Sequence, residues 1–274
     1  MTASILQYYD SFDEWARLET PAGIVELDRT LRIIDRSVPA ACDMLDLGGG
    51  PGRYTLAMAE RGHRCQLVDL SPHLVEEANA RIAASPHAST TPRAVVGDAT
   101  DLSAFADASF DCVLALGPFY HLTKSEDRTA AARDCFRVLR PGGIILAAFI
   151  PRLSGVADLI DRAARSPEQV NVSAFTDAAT DGIFENPSAE GFQSGCYLTP
   201  LEAGDLFRAS GFQVDKTISV RSIHYGREKA YLEVAHNDPD LAKVMQKQAD
   251  KLSLNEAVVA TCGHALIVAS KPDP

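Results

Sequence analysis

The chain has 274 residues, and its 26 lysines and arginines against 37 aspartates and glutamates give a net charge of −11. An apolar fraction of 46% and a charged fraction of 23% are ordinary for a globular protein, which excludes disordered, collagen-like and coiled-coil chains. The acidic balance disfavours binding to nucleic acid or to an anionic membrane surface. At roughly 150 residues per domain, the length leaves one large domain or two small ones open.

No apolar run approaches the roughly 20 residues needed to cross a bilayer, and the N-terminus resembles no secretory signal, which predicts a cytosolic protein. The 6 cysteines are scattered and form no C-x-x-C pair, so we expect free buried thiols rather than a zinc site or disulfides. The 7 histidines show no metal-binding spacing either. We therefore expect no metal.

The elements begin with an aromatic stretch from Tyr8 to Trp15 and an amphipathic helical pattern from Ile24 to Ile34, which together predict a helical cap over residues 1–43. From residue 44 short apolar runs alternate with amphipathic stretches, as in βαβ units with a parallel sheet. The predicted strands lie at 42–47, 65–69, 94–98, 110–116 and 143–150. The predicted helices between them lie at 54–60, from Ser71 onward, and at 124–139, the last ended by the breakers Pro141, Gly142 and Gly143.

Less regular sequence follows the five predicted strands. Residues 151–199 contain one predicted helix at 156–164 and then a long polar stretch, which we interpret as an inserted lid over the substrate region. Its expected apolar anchors are Phe175, Ile183, Phe184, Phe192 and Tyr197. Residues 200–274 are predicted to complete the sheet, with helices at 201–210 and 239–260 and strands at 212–220 and 265–270.

The most informative segment is the glycine-rich run from Asp46 to Gly52, between the first strand and the following helix. Glycines there let the backbone approach a ligand and aim helix N-terminal amides at it, although a tight turn alone would also explain them. The dinucleotide fingerprint G-x-G-x-x-G/A fails in both registers, because Arg53 or Thr55 occupies its sixth position. An NAD-dependent dehydrogenase is therefore disfavoured.

Further signals follow the next strands. Asp69 ends the second strand, where a carboxylate can accept hydrogen bonds from two ribose hydroxyls, and Asp98 ends the third, where it can accept from an adenine amino group. Either residue alone would more often be a turn residue, but their joint spacing favours ligand contacts. The fourth strand leads into Leu116 to His121 at the carboxyl edge of the sheet, where ligands bind in open α/β folds.

The combination of D-x-G-x-G-x-G, V-D-L-S-P, G-D-A, F-D-x-V and L-R-P-G-G over residues 44–150 resembles the class I S-adenosylmethionine-dependent methyltransferases. The tract Leu116–Leu122 is similar to a subgroup of bacterial small-molecule methyltransferases. The resemblance implies an α/β fold, namely a three-layer, Rossmann-like, seven-stranded sheet that is mostly parallel with an antiparallel last strand. It also implies S-adenosyl-L-methionine as the cofactor of the core 44–150.

By this resemblance the glycine loop surrounds the methionine moiety, Asp69 the ribose, Asp98 and Ala99 the adenine, and the backbone at Leu116 the sulfonium side. Arg53, which follows the glycines, is a candidate for the methionine carboxylate. The predicted cofactor-binding residues are Asp46, Gly48, Gly50, Gly52, Arg53, Asp69, Leu70, Asp98, Ala99 and Leu116.

The segment Gly117–Tyr120 departs from the N/D-P-P-Y that amino-directed DNA and protein-glutamine methyltransferases carry, which disfavours adenine-N6 and glutamine targets. We predict in-line methyl transfer to an O, N, S or C atom of a small, partly aromatic molecule. The expected partner is a small-molecule substrate, without nucleic acid or membrane, and the protein is expected to be a monomer or homodimer. The alternatives are a methyltransferase for a modified tRNA base and a cofactor-binding regulator without catalysis.

Two residues are candidates for the catalytic role. His121 lies just beyond the fourth strand and is the first candidate for a general base, with a helix-start histidine bonded to backbone as the alternative. Tyr9 is the second, with plain packing as the alternative. Glu26 could meet the cofactor's ammonium group or lie on a solvated helix face. The C-terminal histidines His224, His236 and His264 are interpreted as structural.

Overall fold

The computed structural model describes residues 12–186 and 193–273 and shows an α/β fold with one continuous nine-stranded sheet in that part of the chain. The strands are β1 Asp43–Leu47, β2 Arg64–Asp69, β3 Val95–Val96, β4 Phe110–Ala115, β5 Leu139–Pro151, β6 Ile183–Glu185, β7 Ser194–Leu198, β8 Gln213–Ser219 and β9 Ala265–Ser270. Seven of them follow the order β3-β2-β1-β4-β5-β9-β8, and β7 and β6 extend the sheet from the end of β5.

Helices cover both faces of this sheet. They are α1 Glu14–Arg17, α2 Pro21–Ser37, α3 Arg53–Glu60, α4 Pro72–Ala84, α5 Ser125–Val138, α6 Arg152–Arg165, α7 Val172–Thr180, α8 Pro200–Ala209, α9 Glu228–Asn237, α10 Pro239–Leu252 and α11 Glu256–Thr261. Several begin at side chains that cap the helix, as Ser71 does by accepting from the amide of Leu74 with Pro72 at the first helical position.

The predicted fold class is confirmed. Strands β1 to β5 pair in parallel, whereas β9 runs antiparallel to both β5 and β8. Alternate residues of the central strands point to opposite faces: Leu45 and Val113 join one buried cluster, and Met44 and Cys112 join the other. Burial on both faces explains why these strands read as continuous apolar runs in the sequence.

Two strands differ from their predicted bounds. β3 is only two residues long instead of spanning 94–98, because it is an edge strand with Val95 and Val96 exposed by 42% and 55%. β5 begins at Leu139 instead of residue 143, so the glycines after Pro141 lie inside it. A register shift against β4 accommodates them, with Gly142 at a φ of 73°.

The segment 151–199 is more regular than its sequence suggests. Instead of one helix and a long irregular stretch, it contains α6, α7, β6 and β7. β7 pairs in parallel with the end of β5, and Phe184 and Tyr197 are buried against Leu159 of α6. Phe192 lies outside the described residues. The packed apolar anchors make this region part of the folded body beside the carboxyl ends of the strands.

The C-terminal region contains more helices than predicted. The helix expected over 239–260 is two helices. The first, α10, ends at Leu252, and Asn255 then caps the start of α11 by accepting from the amides of Ala257 and Val258. Helix α9 was not predicted. All six cysteines are free and buried, as expected. Within the described ranges, none of the helices has the length and apolar character to cross a membrane.

Candidate active site

The glycine loop between β1 and α3 holds a shape that side chains would prevent. Gly50 has a φ of 54°, in the left-handed region that glycine adopts without steric cost. At Gly49 an added Cβ would lie 2.7 Å from a carboxylate oxygen of Asp46 and 2.7 Å from Leu67. The loop can therefore pass directly over Asp46 at the end of the sheet.

Asp69, at the end of β2, ties this loop to the next one. Its carboxylate accepts from the amide of Gly50 at 2.8 Å and from the amide of Ser71 at 2.9 Å. Burial raises the pKa of Asp69, and the hydrogen bonds from the Ser71 and Gly50 amides oppose that rise. Each oxygen keeps a further lone pair, so the carboxylate can still accept from ligand hydroxyls.

Asp46 is a second buried carboxylate at the same edge of the sheet. It is 1% exposed and accepts from the hydroxyl of Thr55 at 2.7 Å. Burial raises the pKa of Asp46 to about 6, and the nearby charge of Asp69 adds to the rise. The two acids make this end of the sheet a strong acceptor region that favours a cation or a hydrogen-bond donor.

These loops line a cleft at the carboxyl edge of the sheet. The predicted cofactor and catalytic residues that line it are Asp46, Gly48, Gly50, Arg53, Asp69, Leu70, Ala99, Leu116 and His121. Sequence reasoning missed Glu14 and Arg17 of α1 and Tyr120 after β4, which also line it. No local motif marks Glu14 or Arg17, whereas Tyr120 lies in the tract Leu116–Leu122. We call this space the cofactor cleft.

Three predicted site residues are not among the described residues that line the cleft. A Cβ on Gly52 would lie 3.5 Å from Ala78 of α4, so this glycine serves helix packing rather than the cleft wall. The carboxylate of Asp98 accepts from the amide of Thr100 at 2.9 Å and from its hydroxyl at 2.8 Å. Tyr9 lies outside the described residues. Their cofactor or catalytic roles stay predictions.

Arg53 is held by the N-terminal helix region. Its guanidinium stacks over the ring of Trp15 with 4.3 Å to the ring centroid, and Arg81 lies over the same ring at 4.2 Å. Glu19 lies 3.5 Å from Arg53. Trp15 of the aromatic N-terminal stretch thus holds Arg53 in place, and Arg53 contributes positive charge to the lining of the cleft.

His121, the first candidate for a base, is buried at the edge of the cofactor cleft. Burial lowers the pKa of His121 to about 4, with a smaller contribution from His264. Its ring lies 4.8 Å from that of Tyr120. The imidazole is therefore neutral at pH 7 but weakly basic, which suits a wall of the site better than a proton acceptor.

A second cavity of about 440 Å³ adjoins the cofactor cleft. Four residues line both spaces: Glu14, Arg17, Tyr120 and His121. The remaining lining residues are Ile150, Gly155, Asp158, Leu159, Asp161, Arg162, Arg165, Tyr197 and His264. Helix α6, which belongs to the predicted substrate region, therefore forms a wall of this second cavity.

Glu26 connects Arg17, which lines both spaces, with His264, which lines the second cavity. Its carboxylate accepts from Arg17 at 2.8 Å and lies 3.0 Å from Nδ1 of His264. Burial alone would raise the pKa of Glu26, but the charges and hydrogen bonds of His264 and Arg17 outweigh it and hold the pKa well below its usual range. The residue is 7% exposed, so the solvated helix face considered for it is wrong.

The cofactor cleft fits S-adenosylmethionine in its donor and acceptor chemistry. The cofactor carries an ammonium group and vicinal ribose hydroxyls, which need acceptors, and a carboxylate, which needs donors. Asp46 and Asp69 supply acceptors, and the guanidinium of Arg53 supplies donors. When bound, the cofactor would provide an activated methyl group on its sulfonium.

Comparison with known proteins supports this fit. Residues 45–147 match the family model of a methyltransferase domain. The chain is 29% identical over 116 residues to the tRNA 5-carboxymethoxyuridine methyltransferase of Escherichia coli K12, covering 42% of each chain. It is 33% identical over 108 residues to the ubiquinone biosynthesis O-methyltransferase of Xanthomonas axonopodis pv. citri, covering 39% of this chain and 43% of that one.

The matched segment thus spans less than half the length of these curated relatives. Over the whole fold, a crystal structure of a SAM-dependent methyltransferase from Methanosarcina mazei superposes with a TM-score of 0.60 at 18% identity, covering 88% of this chain and 98% of that one. The domain match over residues 45–147, the sheet order and the glycine loop make the chain similar to the class I S-adenosylmethionine-dependent methyltransferases, whose cofactor is S-adenosylmethionine.

Proposed function

We propose that the protein transfers a methyl group from S-adenosylmethionine to an O, N, S or C atom of a small, partly aromatic molecule bound in the second cavity. The observation that carries the proposal is the shared wall of the two spaces, formed by Glu14, Arg17, Tyr120 and His121. A cofactor in one space and an acceptor in the other would meet at this wall. Most of the rate enhancement would come from holding the two in line.

The lining of the second cavity favours a small molecule over RNA. Two tyrosine rings, Tyr120 and Tyr197, give it aromatic surface. Its arginines, Arg17, Arg162 and Arg165, are matched in number by the acids Glu14, Asp158 and Asp161. A surface for a phosphate backbone needs an excess of lysine and arginine, which this mixed set and the net charge of −11 do not supply.

The curated relatives include one enzyme named for a tRNA base and another named for ubiquinone biosynthesis, so their names leave both acceptor classes open. A cytosolic location and a monomeric or homodimeric state remain part of this proposal. The closed regulator without catalysis is disfavoured by the second cavity, because its volume of about 440 Å³ leaves room for an acceptor.

The test has two steps. Titration calorimetry with S-adenosylhomocysteine measures cofactor binding, and release of S-adenosylhomocysteine is then followed with catechol, tyramine, thiophenol or bulk tRNA as the acceptor. We expect binding, and turnover with at least one small aromatic acceptor. Turnover with tRNA alone would establish the tRNA alternative, and binding without turnover of any acceptor would favour the regulator.

A further inference from the structure

His264 is a side chain of the second cavity to which the sequence assigned only a structural role. It immediately precedes β9, and its imidazole lies 3.0 Å through Nδ1 from Oε2 of Glu26 on α2. The two residues are 238 positions apart in the chain. Neither belongs to any of the motifs described above, and only the fold brings them together.

The surroundings of Glu26 determine how this imidazole presents itself. Arg17 donates to Oε1 of Glu26 at 2.8 Å, and an ionised carboxylate can only accept from its neighbours. In neutral His264 the nitrogen beside it must then carry the hydrogen. The other nitrogen, Nε2, is left with a lone pair.

His264 is accessible from the second cavity. The side chain of His264 is 22% exposed and lines the second cavity, and within the described ranges no residue forms a hydrogen bond with Nε2. The ring of Tyr120 stacks on the imidazole with 5.5 Å between centroids and 25° between planes, which restrains its orientation. Tyr120 also lines the cofactor cleft, so His264 lies next to the wall that the two spaces share.

A second comparison favours His264 over His121 as a proton acceptor. Burial lowers the pKa of His121 to about 4, whereas Nδ1 of His264 lies 3.0 Å from a carboxylate oxygen of Glu26. A base held by a carboxylate on one nitrogen and open on the other has the geometry for general-base catalysis.

We propose that His264 takes the proton from the methyl acceptor through Nε2. Glu26 is the residue that positions the His264 imidazole. The methyl acceptor is accordingly a hydroxyl or an amine. This inference rests on the proposed function and narrows its acceptor. As the acceptor oxygen or nitrogen forms its bond to the methyl carbon, the carbon–sulfur bond breaks with its electron pair moving to sulfur. The acceptor proton passes to Nε2 and later leaves to solvent through the cavity mouth.

The first test needs no acceptor. Nitrogen-15 chemical shifts of histidine in the wild-type complex with S-adenosylhomocysteine report which ring nitrogen carries the hydrogen, with the His264 signals assigned by their loss in His264→Asn. We expect Nδ1–H and an unprotonated Nε2 in the neutral ring. A neutral ring with the hydrogen on Nε2 would overturn the proposal.

The second test measures turnover of catechol or tyramine, whichever the wild type methylates. In His264→Asn the amide nitrogen replaces Nδ1 and can still donate to Glu26, whereas nothing replaces Nε2. We expect kcat to fall by about 10²-fold or more while the affinity for S-adenosylhomocysteine is unchanged. His236→Asn, at an exposed histidine on α9, is the matched control and should keep wild-type turnover. Wild-type kcat in His264→Asn would overturn the proposal.

Two further readouts separate a base from a residue that only supports the fold. Imidazole added to His264→Ala should restore turnover in proportion to its concentration, without effect on His236→Ala. Glu26→Gln should lower kcat in the wild-type background but have little further effect in His264→Asn, because the two residues act as one unit. Absence of imidazole rescue together with additive losses would contradict the proposed roles.

The outcomes distinguish this inference from the function beneath it. A wild type that fails to bind S-adenosylhomocysteine, or that methylates no acceptor, counts against the proposed function, and the nitrogen shifts still decide the state of His264. A wild type that methylates catechol or tyramine, with His264→Asn equally active, supports the function and refutes the inference.

Discussion

Replacement of Asp69 by alanine is the most direct test of the cofactor site, because this carboxylate organises the cleft. It accepts from the amides of Gly50 and Ser71 at 2.8 and 2.9 Å, and the family resemblance places the cofactor ribose against it. In Asp69→Ala both amides lose their partner, and the ribose hydroxyls lose an ionised acceptor. A net hydrogen bond to a charged group contributes about 1.5–3 kcal/mol.

Loss of one such bond to the ribose already weakens binding by at least about tenfold, since 1.4 kcal/mol corresponds to a factor of ten. Loosening of the glycine loop adds to this loss, because the amide of Gly50 is no longer tied to β2. We therefore expect Asp69→Ala to bind S-adenosylhomocysteine at least about ten times more weakly than the wild type. Titration calorimetry measures the affinity directly.

Two carboxylates serve as comparisons for this variant. An oxygen of Asp98 accepts twice from Thr100, so Asp98→Ala should lose less affinity for S-adenosylhomocysteine than Asp69→Ala does. A larger loss than in Asp69→Ala would support the adenine contact predicted from the sequence. Asp101, an exposed loop residue, should have no effect. Thermal unfolding without ligand checks that each variant folds. Unchanged affinity in Asp69→Ala would show that the ribose lies elsewhere.

Two predictions concern stability and pH in the ligand-free protein. Burial raises the folded-state pKa of Asp46 to about 6, so the protonated carboxyl contributes fully to the free energy of unfolding at low pH. This contribution is lost as the pH rises from about 4 to 6. Asp46→Asn should therefore gain stability relative to the wild type over that window, by up to about 3 kcal/mol. Burial, then the charge of Arg29, lowers the pKa of His224 to about 4, so its contribution is full above about pH 6.5 and is lost as pH falls toward 4. Within the described part of the chain neither ring nitrogen of His224 has a hydrogen-bond partner, and the ring stacks on Tyr231. His224→Phe can keep this stacking without burying unpaired nitrogens, so the variant should be more stable than the wild type at pH 7 by about 1–3 kcal/mol. It should also lose less stability on acidification. Urea unfolding at pH 4, 5, 6 and 7 measures both effects, and a difference from wild type that is independent of pH would contradict either one.

Much of the core could be predicted because its signals are local. Strands β1, β2 and β4 are apolar runs because they are buried on both faces of a parallel sheet, and the glycine loop after β1 is written in consecutive residues. The antiparallel β9 also follows its sequence pattern. The predicted length of β3 was too long. β-propensity does not show that a strand lies at the edge of the sheet, where it pairs with a neighbour on one side only.

Other features depend on partners that are distant in sequence. Tyr197 and Ile150 pair in the sheet across the segment that reads as a lid, so its regular structure is visible only once β5 and β7 are side by side. The asparagine that separates α10 from α11 interrupts a helical pattern that periodicity alone would continue. Long-range pairing and burial decide such cases, and local propensity is overridden.

The sequence by itself determined the fold class and most of the residues that line the cleft, because Asp46, the glycines and Asp69 act through backbone turns and strand ends that neighbouring residues encode. Only the tertiary structure decided what faces that cleft. The second cavity, its wall of Tyr120 and His121, and the pairing of Glu26 with His264 join side chains from separate elements. The burial, charge and hydrogen bonds that set their chemistry exist only when those elements pack together.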